Sequence, residues 1–393
     1  MIHSVIVGTG SHIPERIVPN DAFLGHDFRG SDQKTLDKPN EDILRQFESI
    51  TGIRERRYAP DEMVTTDLAA DAATKALQSS GIDGESLDGI IVAHNFGDVR
   101  AGTTHLDIVP SLAARVKARL GIRNPFSAAW DIVFGCPGWL QGVIVADATI
   151  RAGDAKRVMV IGADTLSRIS DPHDRDSLIY ADGAGAVIVE GRDTDSGILS
   201  RAVRSDAVEY SNMLFMGSSY HPEAFLESLF LKMEGRKLYK YALNTVAGAM
   251  KEALNRAGVD ARDVKKVLIH QANGKMDEAI LEAFYSLYDI DEPPADVMPM
   301  TISWLGNSSV AIRECSYLGV PAVNIGSRQA GRERGNNVVD VEHDRDAILE
   351  AARLQLGRGP LDHDRTYGDG GAGQRIADLL ATVELGIEKR LAY

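Results

Sequence analysis

The 393-residue sequence contains few cysteines and no long hydrophobic run. Its two cysteines, Cys136 and Cys315, are too few for a disulfide framework or a cysteine metal cluster, so each is either a buried core thiol or a nucleophile. No apolar stretch approaches the roughly 18 residues that span a bilayer, and the opening MIHSVIVGTG lacks the basic start of a signal peptide. We therefore expect a cytoplasmic protein that is not inserted in a membrane.

Positive charge is also scarce, because 43 Lys and Arg face 57 Asp and Glu, which gives a formal net charge of −14. This charge disfavours binding to a phosphate backbone, so we expect no nucleic-acid partner. His343 and His363 lie in the charged stretches VEHDRD and LDHDR, which are typical of a solvated surface. We predict neither a metal site nor a cofactor.

An internal repeat is the clearest organisational feature. Residues 72–92 (AATKALQSSGIDGESLDGIIV) align without a gap to residues 249–269 (AMKEALNRAGVDARDVKKVLI). Each copy predicts an alanine-rich helix that ends at a glycine, a polar turn, and a buried β-branched strand. The sequence thus predicts a duplicated α/β chain in which two sheets are covered by helices, a five-layer α/β/α/β/α fold.

Further elements follow from local periodicity. The predicted helices lie at 111–120, 136–151, 233–257, 309–318, 344–356 and 371–388. The predicted strands lie at 126–132, 157–163, 183–190, 197–206, 321–326 and 336–341. We expect residues 26–42 to form a surface loop and residues 211–229 to form an insertion beside a cleft.

Three residues form a candidate catalytic set. Cys136 follows a strand and precedes a helix in DIVFGCPGW, where helix amides are expected to lower a thiol pKa. His270 follows the second-copy strand in VLIHQAN, and Asn307 lies in the glycine-flanked turn LGNSS. Each residue type alone is more often structural, but their shared placement at strand ends favours an active site.

From Met1 to about Ser309 the chain resembles a β-ketoacyl-acyl-carrier-protein synthase III of the thiolase superfamily. The resemblance rests on six stretches that occur in that family's order: GTGSHIPE, TGIRERR, DIVFGC, YADGAGAVIVE, HQAN and GNSS. The resemblance implies an acyltransferase in which Cys136 accepts an acyl group. It implies that His270 and Asn307 stabilise the enolate formed when a malonyl thioester loses carbon dioxide, so that a Claisen condensation follows. This assigns the chain to fatty acid biosynthesis, and a homodimer is expected.

Arg54, Arg56 and Arg57 form a basic run that is either a solvated face or a contact for the phosphates of a pantetheine carrier. With the resemblance, Arg54 and Arg57 are predicted carrier contacts and Asn273 a predicted substrate contact. Gln46 stands where related enzymes that take coenzyme A carry a tryptophan. The donor therefore stays open between acyl-CoA and an acyl-acyl-carrier protein, and the extender is malonyl-acyl-carrier protein.

From about Val310 the sequence changes character. The stretches SSVAIRECSYLGVPAVNIGSRQ and YGDGGAGQRIADLL resemble the C-terminal end of a UDP-N-acetylglucosamine 2-epimerase. That family's pattern implies contacts with a uridine diphosphate, here vestigial, from Ser308, Ser309, Glu314 and Arg328. The chain therefore resembles a fusion whose join falls inside GNSS.

These observations predict three segments, at residues 1–192, 193–309 and 310–393: a first half with the nucleophile, an incomplete second half, and an atypical epimerase-like segment. Three alternatives to an active acyltransferase stay open: a nucleotide-sugar binding or epimerase-like protein, a catalytically impaired fusion, and a non-catalytic scaffold.

Overall fold

The computed structural model describes residues 2–270, 273–290, 304–306, 321–326, 333–358 and 361. By their contacts the residues of the chain form two compact units. Unit 1 contains residues 1–263 and 269–293, and unit 2 contains residues 264–268 and 294–393. The segment boundaries at 192 and 309 stay predictions.

Unit 1 contains most of the regular structure. Its strands are β1 Ile2–His12, β2 Arg16–Pro19, β3 Glu55–Tyr58, β4 Gly89–His94, β5 Asp98–Val99, β6 Leu106–Asp107, β7 Ala128–Val133, β8 Arg157–Thr165, β9 Asp182–Asp193, β10 Leu214–Ser218 and β11 Leu229–Met233. Its helices are α1 Asn40–Thr51, α2 Thr65–Ser80, α3 Leu112–Arg119, α4 Gly138–Ala152, α5 Ala207–Tyr210, α6 Gly235–Ala257 and α7 Gly274–Ser286.

A five-stranded mixed sheet in the order β1-β9-β8-β4-β7 forms the centre of unit 1. Strand β4 runs parallel to both β7 and β8, whereas β9 runs antiparallel to both β1 and β8. Helices α2 and α3 pack on one face of the sheet, where Ile90 and Val92 point, and α4 packs on the other, where Ile91 points. The α/β prediction for the first half is confirmed.

Glycine allows the close contact between β1 and α2. A Cβ added to Gly8 would lie 2.6 Å from the carbonyl oxygen of Ala76. The helix presents alanines to this face, and Ala69, Ala72 and Ala73 are also buried there. Small side chains on both elements therefore set how closely the helix can approach the sheet.

The repeat is confirmed in its helices and turns. Helices α2 and α6 end at Gly81 and Gly258, which have φ angles of +68° and +66°. The copies then diverge, because residues 89–94 form β4 whereas 264–270 form no strand. Ile91 is buried between β7 and β8, but its second-copy counterpart Leu268 is 81% exposed.

The predicted strand 197–206 was wrong. Gly197 has a φ of +134°, and Ile198 donates one backbone hydrogen bond of 2.8 Å to the Ser4 carbonyl beside β1. The chain then turns away from β1, so residues 197–206 do not form a series of backbone hydrogen bonds with it. Residues 26–39 form the predicted surface loop, although Phe28 within it is buried, and residues 40–42 belong to α1 instead.

The predicted insertion, 211–229, provides β10 and the connection to β11, and the resulting β10–β11 hairpin is anchored by a buried ion pair. Lys232 Nζ lies 2.5 Å from Asp171 Oδ2 and 3.3 Å from Asp174 Oδ2. The same nitrogen lies 3.4 Å from the ring centroid of Tyr220, and Ser219 donates a 2.9 Å hydrogen bond to Asp171. The lysine therefore holds the hairpin to the segment that follows β8.

Unit 2 contains a parallel three-stranded sheet in its described residues. Its elements are β12 Trp304–Gly306, β13 Ala322–Ile325, β14 Val338–Val341 and α8 Arg345–Arg358. The predicted elements at 321–326, 336–341 and 344–356 are confirmed, and those at 309–318 and 371–388 lie outside the described residues. No helix in the described ranges has the length and apolar character needed to cross a membrane.

Candidate active site

Cys136 lies between the end of β7 and the start of α4, as the sequence predicts. Its side chain is exposed, and it lines a cavity of about 310 Å³. The turn is closed by a 2.8 Å hydrogen bond from the Gly138 amide to the Gly135 carbonyl. Among the described residues, the polar side chains that share this cavity with Cys136 include His94, Asn95 and Asp164.

Tight packing fixes the first turn of α4 over the sheet. A Cβ on Gly162 of β8 would lie 2.9 Å from the Cβ of Trp139, and a Cβ on Gly138 would lie 3.2 Å from that of Ala93. Glycine at these positions lets the helix approach β4 and β8 closely, so the backbone that carries Cys136 has little freedom to move.

The expectation that the helix start lowers the thiol pKa was wrong for this state of the protein. Cys136 has exposed surface, but the cavity wall keeps water from its thiol and so raises the pKa of Cys136. The negative charge of Asp164 raises it further, and a hydrogen bond with its own backbone only partly offsets both. Pro137, which has no N–H, stands between the thiol and α4. The thiol is therefore accessible but protonated at neutral pH.

His94 is held by hydrogen bonds on both ring nitrogens. Its Nε2 lies 3.0 Å from Asp131 Oδ2, and its Nδ1 accepts a 3.0 Å bond from the Gly97 amide. Asp131 also accepts bonds of 2.7 and 2.8 Å from the amides of Leu112 and Ala113 at the start of α3. Burial raises the pKa of Asp131, but these bonds outweigh it and leave the pKa below its ordinary value.

Asp164 is fixed by Asn95. Its two carboxylate oxygens accept bonds of 2.9 Å from the Asn95 amide and 2.7 Å from its Nδ2. Burial raises the pKa of Asp164 to about 6, and nearby Asp182 contributes to the rise. At pH 7 the cavity wall therefore carries a negative charge close to Cys136.

The glycines of the YADGAGAV stretch are predicted to allow tight strand packing, and they differ from each other. A Cβ on Gly183 would lie 3.4 Å from the His12 carbonyl oxygen, but a Cβ on Gly185 would meet no atom within 4 Å, so the prediction is wrong for Gly185. Gly185 instead lines the cavity. Tyr180, one residue before the lining residue Ala181, is buried, and its hydroxyl has no hydrogen-bond partner among the described residues.

His270 lies in unit 1 and has exposed surface, but neighbouring protein atoms keep water from its ring, and this desolvation lowers the pKa of the imidazole. It is not among the described residues that line the Cys136 cavity. Asn307, Ser308, Ser309, Glu314 and Arg328 lie outside the described residues. The structure thus shows Cys136 in its cavity and leaves the rest of the catalytic set as a prediction.

The predicted carrier contacts have local partners. Arg54 is exposed and pairs with Glu48 at 3.1 Å, and Arg57 lies 3.6 Å from Glu55. Asn273 caps α7 by accepting a 3.2 Å bond from the Met276 amide. The arginines remain at the surface, where phosphate groups can reach them.

Arg56, which the sequence grouped with these arginines, is different. It is buried and donates hydrogen bonds to the carbonyls of Val18 and Leu178 and to Asn20. Its guanidinium is used within the fold, so it is not a phosphate ligand.

His94, Asn95 and Asp164 were not predicted from the sequence. All three follow buried apolar runs, GIIVA and VMVIGA, at the carboxyl ends of adjacent parallel strands. Polar residues at such positions are the signal that could have identified them.

Comparison with known proteins defines the class and then the family. Solved structures of two 3-oxoacyl-(acyl carrier protein) synthase III proteins share the fold. The one from Pseudomonas aeruginosa is 28% identical with a TM-score of 0.60, covering 76% of this chain and 83% of that one. The one from Thermus thermophilus is 25% identical with a TM-score of 0.59, covering 90% of both chains. The protein therefore has a thiolase-like fold, as predicted.

Curated relatives are closer in sequence. A β-ketoacyl-[acyl-carrier-protein] synthase III of Ruegeria pomeroyi is 33% identical over 343 residues, covering 86% of this chain and 94% of the relative. One of Xanthomonas oryzae is 36% identical over 315 residues, covering 79% and 87%. The family model for 3-oxoacyl-[acyl-carrier-protein (ACP)] synthase III matches residues 130–207. The chain belongs to the β-ketoacyl-acyl-carrier-protein synthase III family.

A second family model, for UDP-N-acetylglucosamine 2-epimerase, matches residues 252–381. This match confirms the resemblance of the C-terminal part to that family. It begins before residue 310, where the sequence motifs placed the change.

Proposed function

We propose that the protein is an acyltransferase that forms a carbon–carbon bond by decarboxylative Claisen condensation. In the first half-reaction the Cys136 sulfur attacks an acyl thioester and becomes acylated. The observation that carries this proposal is an accessible cysteine in a cavity of about 310 Å³, at the start of a helix that is packed tightly on the sheet. Membership of the synthase III family supports the same chemistry.

Acyl transfer to Cys136 can be tested by intact-protein mass spectrometry after incubation with an acyl-CoA or an acyl-acyl-carrier protein. We expect one acyl adduct on the natural chain and none on Cys136→Ala. Cys315→Ala is the matched control, since it removes the other of the two cysteines and should keep the adduct. An adduct retained in full by Cys136→Ala would end the proposal.

In the second half-reaction His270 and Asn307 donate hydrogen bonds to the malonyl thioester oxygen as carbon dioxide leaves. The lowered pKa of His270 keeps its imidazole neutral at pH 7, as a neutral donor requires. Loss of one such donor typically slows a reaction about 10²–10³-fold. His270→Ala should therefore slow malonyl decarboxylation far more than acylation of Cys136, and equal losses in both would contradict this role.

The acyl and malonyl groups arrive on carriers, with malonyl-acyl-carrier protein as extender and either acyl-CoA or an acyl-acyl-carrier protein as donor. We propose that Arg54 and Arg57 contact the carrier phosphates and that Asn273 contacts substrate. Charge reversal of both arginines should raise KM for the carrier substrate and change kcat little. An unchanged KM would remove them from the binding site.

A homodimer is part of the proposal. Strand β7 lies at the edge of its sheet. Two exposed apolar residues are close to it: Phe126 precedes the strand, and Val133 is its last residue. Pairing of this strand with a second copy would cover both side chains. A monomeric mass by light scattering at micromolar concentration would contradict the dimer.

The C-terminal segment motivates a second candidate. Because residues 252–381 match the epimerase family model, binding of a nucleotide sugar is the alternative function. Isothermal titration with UDP tests it directly.

The C-terminal segment also occupies the sequence position where the synthase family has a glycine-rich turn. In that family a backbone amide of the turn donates a hydrogen bond to the acyl oxyanion, so we propose that acylation of Cys136 is slow. Replacement of residues 310–393 by an ordinary synthase III C-terminus should then speed acylation on the order of a hundredfold, and equal rates would refute the impairment.

A further inference from the structure

Asp164 and Cys136 face the same cavity, from β8 and from the start of α4. Both carboxylate oxygens of Asp164 are held by Asn95, so the charge has a fixed position relative to the sulfur. In the described part of the chain, no lysine or arginine forms an ion pair with Asp164. The carboxylate is therefore a fixed negative charge that repels, and so disfavours, a thiolate on the neighbouring sulfur.

The other ionisable groups around this pair come from the adjoining strands and from Tyr180, which precedes β9. Burial raises the pKa of Tyr180, so its hydroxyl stays neutral at neutral pH. His94 on β4 lies near Asp164 and is bonded to Asp131 on β7. Asp182 on β9 adds a second negative charge. Asp182 has its own donors, because it accepts bonds of 2.9 Å and 2.6 Å from the amide and the hydroxyl of Ser167.

We propose that Asp164 is a positioning residue for the reaction of Cys136: its carboxylate, fixed by Asn95 on the wall of the cavity that Cys136 also lines, opposes negative charge on the sulfur. This inference rests on the proposed function. In acyl transfer the S–H bond of Cys136 breaks, its S–C bond forms, and the thioester C–S bond breaks, so the proton ends on the departing carrier thiol. The acylated sulfur is neutral, so Asp164 opposes the free thiolate and leaves the acyl-enzyme unaffected.

The pH profile of alkylation by iodoacetamide measures this effect without any acyl donor. It should be recorded from pH 5 to 10 on the Cys315→Ala background, where Cys136 is the only thiol. Asp164→Asn should move the midpoint to lower pH, so that alkylation below both midpoints is severalfold faster. An unchanged or higher midpoint would overturn the proposal.

Asn95→Ala separates the charge from the hydrogen bonds. It removes the side-chain donor but leaves Asp164 ionised above pH 8, so its midpoint should stay near that of the parent protein. An equal downward shift in Asn95→Ala would show that altered packing, and not the charge, moves the thiol, and the proposal would fail.

A measurement on the parent protein needs no folded variant. Because Asp164 has a pKa of about 6, its ionisation should produce a step in the profile there: the logarithm of the rate should rise with less than unit slope between about pH 5 and 7. A straight line of unit slope through this range would refute the coupling. If the step appears but no acyl adduct forms, the proposed acyltransferase function fails alone; if the adduct forms without the step, only the role of Asp164 fails.

Discussion

Gly162→Ala tests whether the packing of α4 on β8 sets the position of the nucleophile. The new Cβ would lie 2.9 Å from the Cβ of Trp139, where ordinary contacts begin at 3.4 Å. Because the Trp139 Cβ is bonded directly to the helix backbone, rotation of the indole cannot relieve the contact. The first turn of α4, next to Cys136, must therefore move away from the sheet.

The size of the effect follows from this geometry. Relief of the contact needs a shift of about 0.5 Å, and overpacking of this kind costs about 1–3 kcal/mol of folding free energy. A misplacement of about 1 Å can cost about a hundredfold in rate, so half that shift should cost about tenfold. We expect a lower unfolding temperature together with acylation of Cys136 that is about ten times slower.

Thermal unfolding and a time course of acylation by intact-protein mass spectrometry measure both effects. Gly185→Ala is the matched control for stability, because it adds a methyl group to the same cavity wall where no atom lies within 4 Å. Its unfolding temperature should match that of the parent. If Gly162→Ala keeps both the parent's unfolding temperature and its acylation rate, the tight packing of α4 does not position the thiol.

Three further outcomes follow from buried polar groups. Tyr180→Phe removes a hydroxyl that has no hydrogen-bond partner in the described part of the chain, and it should leave the unfolding temperature unchanged or raised; a clear fall would reveal a partner. Lys232→Met leaves Asp171 buried without its counter-charge and should lower the free energy of unfolding by about 3 kcal/mol, measured in urea; a loss below about 1 kcal/mol would refute the anchoring role. Burial raises the pKa of both Asp164 and Asp176 to about 6, so the folded state binds more protons than the unfolded state near pH 5. Stability should therefore increase as pH falls from 7.5 to 5.5, and a lower urea midpoint at pH 5.5 would contradict this.

The sequence predicts most of the first half because its signals are local. The run GIIVAH is apolar on both faces and becomes the central strand β4, and the glycine after each repeated helix takes the left-handed conformation. Cys136 is found at a strand-to-helix junction for the same reason. In each case the residue's own neighbours in sequence determine the outcome.

Local signals fail where distant residues decide. The β-branched run at 264–269 resembles the first-copy strand but forms none, because a strand also requires partners on either side. The raised pKa of Cys136 depends on burial and on Asp164 from another strand, whereas the sequence shows only the helix that follows the thiol. Periodicity contains neither kind of information.

The carboxylate of Asp131 links β4, β7 and α3 by hydrogen bonds. It receives bonds from His94 at the end of β4 and from the first amides of α3, while its own strand leads into the turn that bears Cys136. Unwinding of α3 alone would remove the Leu112 and Ala113 amide donors and leave the half-buried Asp131 carboxylate with the bond to His94. Local opening of α3 therefore has a high free energy, and hydrogen exchange should show that β4, β7 and α3 open as one cooperative unit. Any partner that orders α3 would thereby also change how often the surroundings of the thiol open to solvent.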